Sequence, residues 1–410
     1  MSNDTFLLRL VENKYPDLYP YDLVLDEGIS RLYRAELTVL SEERHTQQAL
    51  AANLLNKAVS MGVSQKLQDK NVTRTRYLHG IITGIKSSGV FGAGNNTVYS
   101  YVLIIEPKLA RLRFTRSTRP FYRKTPIEII TEILTEHRII TTESLPSDYF
   151  TIADYNSYGM FDQYGSSDLA FLWYILSLYG LSFTFQHKSF TDDLVEPDLI
   201  FSNGKTFPVS DINYSDGRTI PPIVEFWYLA SDEARSFWKM DRWSMSENIG
   251  VDGLELTAPY PNSNYGSSGW YRGITGPGNR YFNYSSMFHG YQRDAENAGI
   301  NADVSLILDS SYRALHLAKS LWTGAAANLA LQPGSIFELE HFYGDDTLIR
   351  AMVTALHLHC RALWPTYMGA LSEGTDQEIT EAQIRCADYD DNTGCGTGGW
   401  RFCTDPRLLQ

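Results

Sequence analysis

The sharpest cluster of ligating residue types is Cys386, Cys395 and Cys403 near the carboxyl end, with Cys360, His357 and His359 upstream. Zinc is held by four nitrogen or sulfur ligands, usually including a close pair such as C-x-x-C. Here the cysteine gaps are nine and eight residues and no close pair exists, so a tetrahedral site is not supported. His357 and His359 alternate and fall on one face of a strand, which alone could serve a metal; buried or free thiols are the simpler reading of the cysteines. A disulfide in the tail would form only after export. The acidic run from Asp388 to Gly394 hints at a calcium loop, but its Gly falls one place late and its twelfth position is Gly399 in place of Glu. It reads as a solvated turn. Glycine-rich runs at Gly89–Gly94 and Gly394–Gly399 lack the Lys-Ser/Thr ending of a phosphate loop and read as turns. Aromatics at Tyr265, Trp270, Tyr271, Tyr281, Phe282 and Tyr284 could stack on sugars, with Asp252, Glu255 and Asp294 as candidate carboxylates. Acid–base hydrolysis needs two carboxylates facing a cleft, and the sequence places no two of them together. Such aromatics serve equally as interface anchors. With no G-x-S-x-G elbow and no H-E-x-x-H helix, no catalytic, cofactor-binding or metal residue is assigned and no cofactor is expected.

The elements that would position these residues are mainly strands. The chain has 26 Tyr, 19 Phe and 8 Trp, residues suited to strands and interfaces. Its formal charge of -13 argues against a nucleic-acid surface, which needs a basic patch. The amino terminus lacks a secretory signal pattern, and the apolar stretch Leu169–Leu181 is too short to span a bilayer; synthesis in the cytoplasm is expected. At 410 residues, two to four domains are expected.

Alternation places strands at Leu7–Arg9, Tyr21–Leu25 and Ala35–Leu40, and helical spacing of Leu50, Leu54, Ala58 and Met61 predicts a helix over Thr46–Met61. Tyr77–Ile85 and Thr97–Ile105 flank a Gly/Asn turn and read as a hairpin. Thr125 and Glu128 form a capping box with Pro126 at the first helical position, and Ile127, Ile130 and Leu134 would make its apolar face. A second helix starts at Ser166 or Ser167 and ends at Gly180; it is apolar nearly all round and so is expected to be buried, with a strand Leu181–Phe185 leaving it. Further on, strands are expected at Ile223–Leu229 and Gly253–Thr257, a long loop over Pro259–Met287, and a helix over Ser310–Leu321. Ser335–Phe342 and Leu348–Leu358 would form an antiparallel pair.

Several stretches, in order, resemble the amino-terminal tail-hub region of VgrG spike proteins of type VI secretion and the related baseplate hubs of contractile phages. They are Asp26-Glu27-Gly28-Ile29-Ser30, Leu78-His79-Gly80-Ile81-Ile82-Thr83, Tyr101-Val102-Leu103 with Pro107-Lys108-Leu109, and Arg119 and Phe121 leading to Ile129-Ile130. Gln163-Tyr164 with Ser167-Asp168 and Phe171-Leu172, and then Pro333-Gly334 with Phe337 and Leu339, complete the set. The family's Glu before Ser-Asp is Ser166 here, and its helix Arg is replaced near Trp173-Tyr174. The resemblance implies an α+β, mainly β fold: two tail-tube-like β-barrels, at 1–120 (with a helical insert) and 206–385, an intervening α/β region at 121–205, and a Cys-bearing tail at 386–410. It implies a structural hub and no enzyme: a homotrimer that joins a hexameric tail-tube protein to a separate OB-fold/β-helix spike protein, among baseplate proteins. Assembly in the cytoplasm and ejection with the injection particle follow. Residues after about 385 leave no room for an OB-fold, so the spike is expected from another chain or is absent.

Overall fold

A computed structural model of the chain describes residues 6–10, 15, 17–66, 73–91, 97–139, 159–178, 180–188, 196–202, 212–213, 219–220, 223–225, 240–247, 253–259, 270–275, 283–287, 291–292, 320–326, 331–340, 349–361 and 399–402. The first part holds β1 (Phe6–Leu10), β2 (Tyr19–Gly28), β3 (Arg34–Ser41), α1 (Gln47–Leu54), β4 (Ala58–Lys66), β5 (Thr73–Phe91) and β6 (Val98–Glu106). A 3-10 turn at Lys108–Arg113 leads to β7 (Arg116–Lys124), α2 (Pro126–Glu136), β8 (Gly159–Ser167), α3 (Asp168–Leu178), β9 (Ser182–Gln186) and β10 (Asp198–Ser202). Next come β11 (Ile212–Asn213), β12 (Thr219–Ile220), β13 (Ile223–Glu225), β14 (Met240–Glu247), β15 (Gly253–Pro259), β16 (Trp270–Thr275), β17 (Asn283–Met287) and β18 (Tyr291–Gln292). The last strands are β19 (Ser320–Ala326), β20 (Ile336–Glu340), β21 (Ile349–Met352), β22 (Ala355–Arg361) and β23 (Gly399–Phe402). The fold is α+β and mainly β.

Ten strands share one sheet in the order β1-β4-β5-β6-β3-β2-β22-β23-β19-β14. β1 comes back against β2 without a shared ladder, so the first six strands curl toward closure. Alternation drives this curl. Cys360, Leu23, Leu37, Leu103 and Ile85 stand opposite one another across β22, β2, β3, β6 and β5, and all five are buried in one core. Each such aliphatic side chain contributes roughly 1.5–3 kcal/mol by leaving water. β2 joins β22 in an antiparallel ladder from Asp22↔Arg361 to Gly28↔Ala355, so hydrogen bonding runs continuously between the first and last parts of the chain.

The second core is built around α2 and α3. It gathers Leu109 and Leu112, Phe121 of β7, Ile129, Ile130, Ile133 and Leu134 of α2, and Phe161 of β8. Leu169, Phe171, Leu172, Ile175 and Leu176 of α3 pack there with Phe183 and Phe201 of the β9–β10 pair. α2 opens with the expected capping box: the Glu128 N–H donates to Thr125 Oγ1 at 3.2 Å, and Thr125 N–H donates to Glu128 Oε2 at 2.7 Å. Its buried face is Ile129, Ile130, Ile133 and Leu134, while Ile127 of the expected stripe is half-buried. Thr125→Ala removes one partner of the box and is expected to cost about 1 kcal/mol in urea unfolding. α3 starts as expected, with Ala170 N–H donating to Ser167 Oγ at 3.2 Å. It ends at Gly180, whose φ of 62° lets Leu181 N–H reach back to the Leu176 carbonyl at 2.8 Å. Full burial of α3 does not hold, because Trp173 is 39% and Tyr174 49% exposed.

Several expectations are corrected. The helix over Thr46–Met61 stops at Leu54; Ala58 and Met61 lie in β4. Asn56, at φ 63°, turns the chain there, its N–H donating to the Ile82 carbonyl at 2.8 Å, and ladder pairing with β5 buries Val59, Met61 and Val63 in alternation. Pro259–Met287 is not one loop, because β16 and β17 flank β15 within it. Leu321 and Trp322 belong to strand β19, not to a helix, while Leu315 and Ala318 lie outside the described residues. Leu348–Leu358 breaks at Val353-Thr354: Val353 bonds Ser335 while the Thr354 carbonyl accepts from Ile29, passing the chain from β20's partner to β2's. Gly89 sits in β5 beside a register shift, not in a turn; 92–96 lie outside the described residues. The β5–β6 hairpin and the antiparallel β20–β21 pair are as expected.

Gly80 in β5 is required by space. A Cβ there would meet the Glu106 carbonyl oxygen at 2.7 Å and Ile105 Cγ2 at 2.9 Å. Gly80→Ala is expected to cost roughly 1–3 kcal/mol, read as a lower Tm.

Candidate functional site

Three residues picked from separate stretches, Arg119, Gln163 and Asp168, meet in one cluster. Arg119 on β7 and Gln163 on β8 are direct partners across the ladder, and Arg119 Nε donates to Gln163 Oε1 at 3.1 Å. Gln163 Nε2 donates to Asp168 Oδ1 at 2.7 Å, and Asp168 Oδ2 lies 2.8 Å from His137 Nε2 at the end of α2. Arg119 Nη1 pairs with Glu136 at 2.7 Å, and its Nη2, buried and without a hydrogen bond, stands 3.7 Å from Asp168 Oδ1. Burial alone would raise the Asp168 carboxyl; hydrogen bonds from Gln163, His137 and Thr115 and the Arg119 charge hold it below the ordinary carboxylate range. The cluster ties both strands of the β7–β8 pair to both helices.

A second cluster joins β2, β5 and the chain after β9. Arg76 pairs with Glu27, and its Nη1 donates to the Leu331 carbonyl at 2.6 Å. His79 is fully buried: its N–H donates to His187 Nδ1 at 3.1 Å, its Nδ1 lies 2.9 Å from Ser60 Oγ, and Tyr33 Oη donates to its carbonyl. Nearby, Glu106 accepts from Arg113 at 2.7 Å and Thr83 at 2.7 Å; burial opposes its charge, but these bonds keep its carboxyl below the usual range.

Among the described residues, Asp17, Glu43 and His45 are the set whose ligand atoms could hold a metal, lying within 4.8 Å of one another. Asp17 Oδ2 already accepts from Ser41 and lies 2.5 Å from His45 Nε2. Asp17 and His45 are thus already partnered with each other.

Among the described residues, His357, His359 and Cys360 do not form one ligand set. His357 and His359 each face a carboxylate of β2, Asp26 at 2.6 Å and Asp22 at 2.8 Å, while Cys360 is buried in the core. Cys386, Cys395 and Cys403, the run 388–394, and Asp252, Asp294, Tyr265, Tyr281 and Phe282 lie outside the described residues. Glu255 lies in β15, Trp270 and Tyr271 in β16, and Tyr284 in β17. Of the Glu27, Arg76 and His187 cluster, only Glu27 falls in a stretch that carries the resemblance.

The family described as phage tail baseplate hub (GPD) matches residues 26–206. No curated protein matches the chain. Among solved structures, the tail protein from Neisseria meningitidis MC58 is similar at TM-score 0.53 and 8% identity, with 98% of each chain covered. The E. coli c3393 protein, a type VI secretion component described as similar to T4 bacteriophage tail proteins gp27 and gp5, is similar at TM-score 0.52 and 16% identity, covering 87% of this chain and 73% of that one. At such identities the likeness shows shared fold. Residues 26–206 therefore match a phage tail baseplate hub, and the chain as a whole shares the fold of a phage-type tail protein and of a type VI secretion component.

Proposed function

We propose that this hub is a tube-to-spike adaptor of a contractile injection apparatus, working as a homotrimer without bond chemistry. Tube-like regions at 1–120 and 206–385 present a pseudo-sixfold ring to a hexameric tube protein. The 121–205 region braces them, the 386–410 tail follows, and a separate spike chain is carried on the other side among baseplate proteins. Closed threefold symmetry suits such a ring, because a heterologous contact that closes avoids open-ended fibres. The particle is assembled in the cytoplasm and then ejected. No described helix is long and apolar enough to cross a membrane.

The observation that carries the reading is where the hub-matched region spends its polar residues. Arg119, Gln163, Asp168, Glu27 and Arg76 brace strands against helices and loops. Exposed aromatics, Phe114 at 84% and Tyr164 at 86%, offer contact surface that assembly would cover. Light scattering on the purified chain is expected to give three times 46.5 kDa. A stable monomer, or a dimer, overturns the trimer.

A further inference from the structure

Two buried polar atoms face each other unpaired: Glu27 Oε1 and His187 Nε2, 4.0 Å apart, on side chains 6% and 5% exposed. His187 lies just past β9. Its Nδ1 accepts the His79 N–H at 3.1 Å, so the neutral ring carries its proton on Nε2, turned toward Glu27. The groups around it are Glu27 of β2, Arg76 and His79 of β5, and Tyr33, whose ring centroid is 5.1 Å away. Lys188, next along the chain, points to Asp198.

An imidazolium carries N–H on both nitrogens. Whichever way the ring turns, one of them would point at the His79 N–H. The new charge would also stand beside Arg76, to which Glu27 is already committed. His79 is free of this conflict: its Nε2 donates to the Lys188 carbonyl at 2.6 Å, and its Nδ1 faces the Ser60 hydroxyl, which can turn from donor to acceptor. The other four described histidines, His45, His137, His357 and His359, each face a carboxylate.

We propose that His187 is an acid-sensitive latch, whose protonation breaks its bond to the His79 N–H and weakens the join between the chain after β9 and β5. Burial holds His187 well below the ordinary histidine range, and the charges of His79 and Arg76 push the same way. The unfolded chain therefore takes up the proton first. The latch's contribution is complete above about pH 6.5 and declines as pH falls below it, by up to about tenfold in the folding equilibrium per pH unit.

Urea unfolding of the full chain from pH 8 to pH 5 tests this, with His187→Gln as the partner protein. A glutamine amide can accept from the His79 N–H and donate toward Glu27 without titrating. The wild type is expected to lose stability below about pH 6.5 by up to about tenfold per unit more than the variant. Parallel curves overturn the latch. Nitrogen-15 NMR of histidine-labelled wild type needs no variant: His187 should show the Nε2–H tautomer at pH 7.5 and take up a proton only below the ordinary histidine value of about 6.5. A ring that titrates at about 6.5 or above, or that carries Nδ1–H, overturns the proposal.

Discussion

Arg76→Met is expected to lower the unfolding free energy by about 3–5 kcal/mol, the cost of leaving a buried charge without its partner. Glu27 is the charge left behind. Its side chain is 6% exposed, one of its oxygens already lacks a hydrogen bond, and Arg76, itself 9% exposed, is its cation. The Leu331 carbonyl loses its donor in the same step. Removing both charges is a different perturbation, because desolvation opposes the pair as strongly as attraction favours it. Arg76→Met with Glu27→Leu should therefore recover most of the loss. Urea unfolding of the two single variants and the double gives the coupling directly. A single-variant cost below about 1 kcal/mol, the range of an exposed pair, would show that the cluster is solvated.

Asp168→Ala carries the second large effect, about 3 kcal/mol. The side chain is 3% exposed and accepts from Gln163, lies against His137 and stands beside the buried Nη2 of Arg119. Each hydrogen bond to a charged group contributes about 1.5–3 kcal/mol, and the orphaned donors add their desolvation. Asp168 also opens α3, where a negative charge meets the positive end of the helix. Because its folded carboxyl lies below the ordinary Asp value of about 3.9, its stabilisation is present above that pH and is lost as pH falls through the folded value. The wild type should thus lose stability below about pH 4 more steeply than Asp168→Ala. Equal slopes would mean that the cluster does not hold the charge.

Local signals in the sequence were enough for some elements and not for others. Thr125, Pro126 and Glu128 specify the start of α2 among themselves, and Gly180 ends α3 by a backbone angle few other residues adopt. The β5–β6 hairpin likewise depends on neighbours in the chain. Met61 stands at helical spacing from Leu50 and Leu54, yet the partner that decides its state, Leu78, is supplied by a different strand. The same holds for Leu321 and Trp322, paired to Ser246 and Met245. The Arg119–Gln163–Asp168 cluster was visible only as fragments. Resemblance marked each residue, but nothing local says that a strand pair and two helix ends bring them together. His187 had no mark at all, since its role rests on a bond to a backbone amide 108 positions away.

The ladder between β2 and β22 has a consequence in time. Asp22 waits for Arg361, and Gly28 for Ala355, so one edge of β2 has no strand beside it while the intervening chain is made. At about 5–20 residues per second, that interval is roughly 20–60 s. Throughout it the nascent protein carries an open edge backed by an apolar core, the geometry that pairs most readily with another chain. The protein's yield in the cell should therefore depend on how fast the chain before β22 is synthesised, and slowing translation between β10 and β22 should divert chains into aggregates.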